Sequence, residues 1–410
     1  MDGICDIAVL GSGPGALSVA AAASGRGASV TLIAPEPRAP WKPNYCLWAD
    51  EIPDAILPLT ERIWNEAQVA TSLGQRTIPR AYAKLHNQTL QSFFWGQLEA
   101  GAARVVPEPA LELEAVRGET RVRTASGAVE RARVVVDASG AGTRFVRRVH
   151  QRPPAYQTAY GLLLDAPGHG FELDQAVMMD FRPASSADSE PPSFLYALPL
   201  AENRLFVEET SLARRPAMSM EVLRQRLQTR LVSLGLQEAP RLDEELCSIP
   251  MGLGLPAPSQ SVVPFGAAAA MMHPASGYHV FHVLRKAQPV ADAIVEALDA
   301  GRPDEAVQRG QAAVWPRSDR RLWELYQFGL ETLLNMSLDE VSRFFESFFE
   351  LPREAWSGYL GATLEPSELG AAMTRLFRSL PMPVQWHLVR AGLWGGAAPL
   401  ARSFFQPGSP

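Results

Sequence analysis

The sequence predicts an α/β fold: a parallel sheet begun by a βαβ unit, an antiparallel sheet later in the chain, and helices at its end. Three observations predict it. Ile7-Ala8-Val9-Leu10 is a short apolar run, followed by Gly11-Ser12-Gly13-Pro14-Gly15-Ala16, an Ala-rich helical pattern and a second buried run from Ala28 to Ile33. From Tyr156 to about Thr210, short apolar runs alternate with Pro, Gly and Asn, as in antiparallel sheets. From Trp315 onward the pattern is helical and aromatic.

The first unit is a strand, a glycine turn, a helix and a strand within about thirty residues, which requires a parallel pair. A dinucleotide pyrophosphate needs backbone approach closer than a side chain permits, with free N–H groups aimed at it. Gly11 makes the tight turn, Gly13 permits the approach, Pro14 and Gly15 open the helix, and Ala16 lets it pack on the strand. The second strand of such folds commonly ends in an acid that accepts from ribose hydroxyls. Here it ends Ile33-Ala34-Pro35-Glu36, so Glu36, two residues late, is the substitute.

Arg133 to Val136 repeats the buried-strand signal and ends in Asp137-Ala138-Ser139-Gly140. The antiparallel segment follows, with runs at Gly161–Ala166, Ala176–Phe181, Ser193–Leu200 and Arg204–Leu212, and a Ser/Asp/Pro loop from Pro183 to Pro192. Met220 to Leu236 reads as a helix with Val222, Leu223, Leu227, Leu231 and Leu234 apolar. A small-residue turn from Gly266 to Gly277, containing Pro274, then feeds a long helix that ends near Ala300. NAD and FAD both fit the first motif. The second strand ending in DASG, the central antiparallel segment and the later turn into a helix form the flavin-type, glutathione-reductase-2-like arrangement. Its last helix points a partly positive N-terminus at the flavin. Asp137, Gly140, Gly266, Pro274 and Gly277 therefore join Gly11 to Ala16 and Glu36 as cofactor candidates. The division expected is a discontinuous dinucleotide-binding domain (1–150 with 245–315), an antiparallel substrate domain (151–244) and a helical region (316–410).

At the end of the chain, Ser337-Leu338-Asp339-Glu340 reads as a capping box, with Phe344, Phe345, Phe348 and Phe349 on one face. That face or the segment Trp386 to Trp394 either lies in a membrane interface or caps the core.

The 410 residues, 47% hydrophobic and 20% charged, suit two or three globular domains. A net charge of −6 without any long Lys/Arg run argues against nucleic acid as a partner. Cys5, Cys46 and Cys247 form no CxxC pair, which excludes a disulfide scaffold or zinc ribbon and suggests a reducing compartment. His273, His279 and His282 lack metal-ligand spacing, and no metal is expected. The N-terminus lacks a basic leader and no run of about 18 apolar residues occurs. The expectation is a cytoplasmic protein that is soluble or lies on a membrane surface.

Five motifs in order resemble the lycopene cyclases of the plant and cyanobacterial type and their relative capsanthin–capsorubin synthase. Asn44-Tyr45-Cys46-Leu47-Trp48-Ala49-Asp50-Glu51 is similar to their NYGVWVDE signature, and Phe194 to Pro199 to FLYAMP. Asn203 to Leu212 is similar to NRIFLEETSL, Ile249 to Gly252 to IPMG, and His273 to Tyr278 to HPSTGY. Cys46, Ala34 and the Ala267–Ala270 run depart from the family pattern, and the likeness fades after about Ala300.

The resemblance implies a flavoenzyme that closes the ends of lycopene, a linear C40 polyene, without net redox change. Reduced FAD would be the active form, NAD(P)H the electron source, and the site would work at a membrane surface. Protonating an alkene demands a carboxylic acid kept neutral and dry. By resemblance, Glu208 is the acid or cation stabiliser. Adjacent residues on a strand face opposite ways, so Glu209 is a supporting residue paired with Arg204 or Arg214. Asp50 and Glu51 are candidates for the returning base or a flavin contact, or else simply begin a helix at Glu51-Ile52-Pro53. Trp48, Phe194, Tyr196 and Phe206 line a polyene tunnel or belong to the core. The rivals are a flavin monooxygenase or polyprenyl reductase on the same fold, and a non-catalytic carotenoid carrier. Ring type, the number of ends closed and oligomeric state stay open.

Overall fold

The computed structural model describes residues 3–149, 153–188 and 190–393. The elements run β1 (Cys5–Leu10), α1 (Pro14–Gly25), β2 (Val30–Ile33), β3 (Cys46–Trp48), β4 (Thr60–Trp64), β5 (Glu66–Thr71), β6 (Gly74–Ile78) and β7 (Tyr82–Leu85). Then come α2 (Asn87–Ala100), β8 (Arg104–Val106), β9 (Ala110–Val116), β10 (Glu119–Thr124), β11 (Val129–Asp137), β12 (Ala155–Asp165), β13 (Gln175–Asp180), β14 (Ser193–Ala201) and β15 (Arg204–Ser211). Helix α3 (Met220–Ser233), β16 (Arg241–Met251) and β17 (Val263–Pro264) precede the last helices. These are α4 (Val280–Asp299), α5 (Pro303–Val314), α6 (Arg317–Leu333), α7 (Leu338–Phe349), α8 (Arg353–Gly361), α9 (Pro366–Ser379) and α10 (Met382–Ala391).

The first sheet has the order β8-β2-β1-β11-β10-β9, with β17 joined to the far end of β11. Strands β8, β2, β1, β11 and β17 pair in parallel, as the βαβ pattern requires, while β9 and β10 add an antiparallel hairpin. Helix α1 is nearly all Ala and small residues and is buried on every side, because it packs between the sheet and α4. A helix without large side chains can approach both.

The second sheet runs β16-β12-β15-β14-β13-β5-β6. It reaches beyond 151–244 at both ends, since β5 and β6 come from early in the chain and β16 crosses residue 244. Pairing across a hundred residues leaves no local signal. One face carries Tyr160, Leu162, Leu195, Ala197, Leu205 and Val207 against Leu223, Leu227 and Leu231 of α3. The other face looks into the molecule, toward β3, β7 and the C-terminal helices.

Helix α7 begins at the expected capping box, Ser337 Oγ accepting from Glu340 N–H and Glu340 from Ser337 N–H. Its Phe face points inward: Phe348 and Phe349 are buried, and Phe345 stacks on Phe181 with centroids 5.3 Å apart. Of the two segments offered to a membrane, this one belongs to the interior. The exposed one is the 382–393 stretch, and Trp394 lies outside the described residues.

Candidate active site

The two glutamates of β15 part company as period-2 geometry demands. In register with Glu209 stand Tyr160 and Leu195, whose side chains pack toward α3. There Glu209 is 1% exposed, bonded by Arg230 Nε and by Ser193 Oγ at 2.5 Å, while Arg226 Nη1 donates to Ser193 Oγ at 2.7 Å. Its partner is thus Arg230 of α3, not Arg204 or Arg214. Arg204 is exposed, and Arg214 bridges to Tyr156 through its backbone. Arg230 went unread because its helical face is written in leucines, among which a long aliphatic stem also packs.

Glu208 faces the other way, into a cavity of about 400 Å³. The lining is mainly apolar, with Met178, Phe194, Leu212, Phe345, Phe348 and Phe349. That size and character suit the end of a hydrocarbon ligand. Glu208 is half-buried only because it borders this space. Its Oε1 lies 2.6 Å from Thr210 Oγ1. Burial, then the charge of Glu245, push its carboxyl up to about 8, so it holds a proton at neutral pH. Tyr196, directly opposite on β14, lies 3.3 Å from Tyr82 oxygen to oxygen and shares the cavity wall with Cys46 and Cys247.

Glu245 is the residue that sequence reasoning missed. It lines the same cavity from β16, held by Asn44, whose backbone N–H donates at 3.0 Å and whose side-chain amide donates to the other oxygen. Alternation along Glu244–Ile249 carried the signal: Glu245, Cys247 and Ile249 share one parity and are half-buried, while Glu244, Leu246 and Ser248 are exposed.

Asp50 and Glu51 are not on the cavity wall. They sit on a 3-10 turn after β3, where Arg80 Nη2 donates to Asp50 at 2.7 Å and to Glu51 at 2.9 Å. Burial raises the Glu51 carboxyl above its usual range, against the pull of Arg80. Trp48 and Phe206 are core, Trp48 under the Arg80 guanidinium, whereas Phe194 and Tyr196 reach the cavity. His273 and His279 are held neutral by burial, at about 3 and about 4, and burial likewise lowers His282 well below the usual imidazole range.

The glycine candidates meet on the first sheet. Gly11 has φ +106°, and a Cβ there would stand 2.6 Å from the Ala138 oxygen, so only glycine serves. Gly13 caps α1 without any side-chain bond, Pro14 fills the first turn, and Ala16 is fully buried. A Cβ at Gly13 would meet nothing within 4 Å, which leaves the helix start open to a ligand. Gly15 abuts Gly266 (φ +59°), beside which the buried Nε2 of His279 has no partner. An open helix N-terminus, a glycine floor and an orphaned imidazole nitrogen fit a dinucleotide with a heterocycle reaching toward α4. Gly277 (φ +73°) joins this region to the cavity wall, after the turn containing Pro274. Asp137 instead accepts from Ser139 N–H at 3.0 Å and from Thr143 Oγ1 at 2.5 Å, fixing the turn through Gly140. Glu36 is exposed, and its carbonyl accepts from Ser12 Oγ at 3.3 Å.

The family model described as lycopene cyclase protein matches residues 6–384. The chain belongs to the lycopene cyclase family. A lycopene beta cyclase from Synechococcus elongatus is 37% identical over 394 residues, covering 94% of this chain and 95% of the relative. One from Arabidopsis thaliana is 34% identical, covering 89% and 76%. The capsanthin/capsorubin synthase of Citrus sinensis is 32% identical, covering 91% and 77%. Among solved structures, a geranylgeranyl bacteriochlorophyll reductase-like protein from Thermoplasma acidophilum matches with TM-score 0.69 at 16% identity, covering 95% of this chain and 99% of that one. The flavin-dependent brominase Bmp2 matches with TM-score 0.67 at 12% identity, covering 91% and 97%. The lycopene cyclase chain thus has a fold shared with flavin enzymes of other chemistries. In this lycopene cyclase the paired carboxylates stand on the second sheet, apart from the glycine floor.

Proposed function

We propose that this lycopene cyclase closes the ends of lycopene into rings by proton transfer from Glu208, with FAD held at the glycine floor. The observation that carries the proposal is a carboxyl at the wall of an apolar cavity, beside aromatic rings, where burial raises its hold on a proton. Glu208 delivers a proton to the terminal alkene, and the tertiary cation formed is attacked by the neighbouring double bond. Tyr196, Phe345, Phe348 and Phe349 offer ring faces to the cation, and their bulk keeps water out. Gly11, Gly13 and the start of α1 hold the pyrophosphate, with Gly266 and His279 nearer the ring system. When bound there, reduced FAD would supply an electron-rich ring system, with NAD(P)H as its source of electrons.

Anaerobic incubation with lycopene tests this. The expected product is an isomer of the substrate, formed with reduced FAD and not with oxidised FAD. A product heavier by oxygen or by two hydrogens replaces the proposal with a monooxygenase or a reductase. The cofactor site has its own test. A Cβ at Gly13 meets no protein atom within 4 Å and its φ of −73° suits any residue, so Gly13→Val is expected to cost the fold only about 1 kcal/mol as a poorer helix cap. It is expected to abolish stoichiometric flavin absorbance while melting near the parent. Gly11→Val is expected to lower the melting temperature as well.

Activity is expected to fall as pH rises through about 8, because Glu208 must carry its proton. The stability sign agrees. The unfolded carboxyl titrates near 4.3 and the folded one higher, so its contribution is full below the unfolded value and is lost as pH rises through the folded one. A pH-rate profile set beside melting curves checks both.

Met382, Trp386, Val389 and Leu393 form one stripe along α10 and just past it, with Met382, Trp386 and Leu393 62%, 60% and 71% exposed. Phe377 of α9 is also exposed, and Arg378 and Arg390 are close in sequence. An apolar stripe among cations suits a bilayer surface, where the substrate dissolves. No helix among the described residues is long and apolar enough to span it. Trp386→Asp with Leu393→Asp is expected to reduce co-flotation with anionic vesicles at least about tenfold. An unchanged melting temperature would accompany the loss.

A further inference from the structure

Both sheet partners of Gly161 on β12 are acidic: Glu208 on β15 and Glu245 on β16. Residues directly opposite one another share a face, so Tyr196, Glu208, Gly161 and Glu245 form one row across the sheet. Two strand spacings put the carboxylates' backbones about 10 Å apart. Between them Gly161 adds no side chain, and a Cβ there would stand 2.6 Å from the Phe206 ring. An apolar floor thus lies between two carboxyl groups, both on the cavity wall. They differ in their bonding. Both Glu245 oxygens accept from Asn44, an arrangement that favours the anion, whereas Glu208 has, among the described residues, only the Thr210 hydroxyl.

Building on the function proposed above, we infer that Glu245 is the second carboxylate of the reaction, the base that takes the proton released by the ring cation. Glu208 breaks its O–H bond as the less substituted carbon of the terminal alkene gains C–H, and the neighbouring double bond attacks the tertiary cation to form the ring C–C bond. A ring C–H bond then breaks, its electron pair becomes the ring double bond, and the proton goes to Glu245. The product is an isomer of the substrate. Glu245 then gives its proton up to solvent and Glu208 takes one from solvent, which restores the starting state, and no oxidant or reductant is consumed. Burial raises both carboxyl groups, and the charge on Glu245 helps keep Glu208 protonated. The other titratable groups facing the pair among the described residues are Tyr45, Cys46, Tyr82, Tyr278 and His279 on the cavity wall, Lys84 (already paired with Glu61), Tyr196, and Asp243 and Cys247 on β16.

The test compares the parent chain, loaded with reduced FAD, with Glu208→Gln, Glu245→Gln and Asn44→Ala, all checked for one bound flavin and a parent-like melt. Glu245→Gln is expected to lower kcat about a hundredfold at little-changed KM, the reach of a general base. It should also move the alkaline limb to lower pH, since a negative neighbour of Glu208 is gone. The ring-isomer ratio should change as another acceptor takes the proton. Asn44→Ala leaves the carboxyl and the backbone N–H bond in place but withdraws the side-chain donor, so the acid limb should move to higher pH. This second variant decides the matter if Glu245→Gln does not fold. Parent-like kcat, pH profile and isomer ratio in the folded variants overturn the role of Glu245 while ring closure stands. A parent chain that forms no ring overturns the function itself, and a Glu208→Gln chain that forms it at full rate overturns Glu208 as the acid.

Discussion

Glu208→Gln is expected to cut ring formation about 10²- to 10⁴-fold, the contribution typical of a positioned general acid, and to leave the fold intact. The amide keeps the size of the side chain, and a carboxyl that is already neutral loses little when it becomes neutral by substitution. Among the described residues only Thr210 bonds Glu208, so no ion pair is broken there. The variant should bind flavin normally and melt at or slightly above the parent temperature near pH 8. Initial rates and calorimetry on the same preparations separate chemistry from folding.

Glu209→Ala is expected to do the reverse. Its carboxylate and Arg230 are 1% and 8% exposed, so truncation leaves a buried guanidinium without its acid. Breaking such a pair typically costs about 3–5 kcal/mol, a large share of the stability of most domains. The loss should extend to Ser193 and Arg226, which belong to the same network and tie α3 to β14 and β15. Denaturant titration measures it. If Glu209→Ala melts with the parent while Glu208→Gln unfolds, the two faces of β15 have been assigned the wrong way round.

How these roles were written in the sequence differs from residue to residue. The glycine turn was legible because its constraint is local: a tight turn and an open helix start need glycine whatever packs around them. The division between Glu208 and Glu209 was legible as well, since strand parity alone separates neighbours. Which face held the cavity came from resemblance, and the counter-ion of Glu209 was misplaced because Arg204 and Arg214 are near in sequence and Arg230 is near only in space. Glu245 was hidden among Asp243 and Glu244 in an acidic run on an edge strand, where exposed neighbours mask the alternation. Strands β5 and β6 were invisible for another reason: β5 pairs with β13, over a hundred residues on, and local composition carries no trace of that partner. The α7 phenylalanines were legible as a face but not as an inward one, because periodicity does not say what covers it.

The most direct measurement is the product formed from lycopene with reduced FAD in D2O under anaerobic conditions. Transfer of an exchangeable proton from the Glu208 carboxyl to carbon requires one deuterium in each ring formed, on the carbon that was the terminal alkene's, and no other mass change. Rings without deuterium would mean that the hydrogen never came from an exchangeable acid, and Glu208 would then have no part as proton donor.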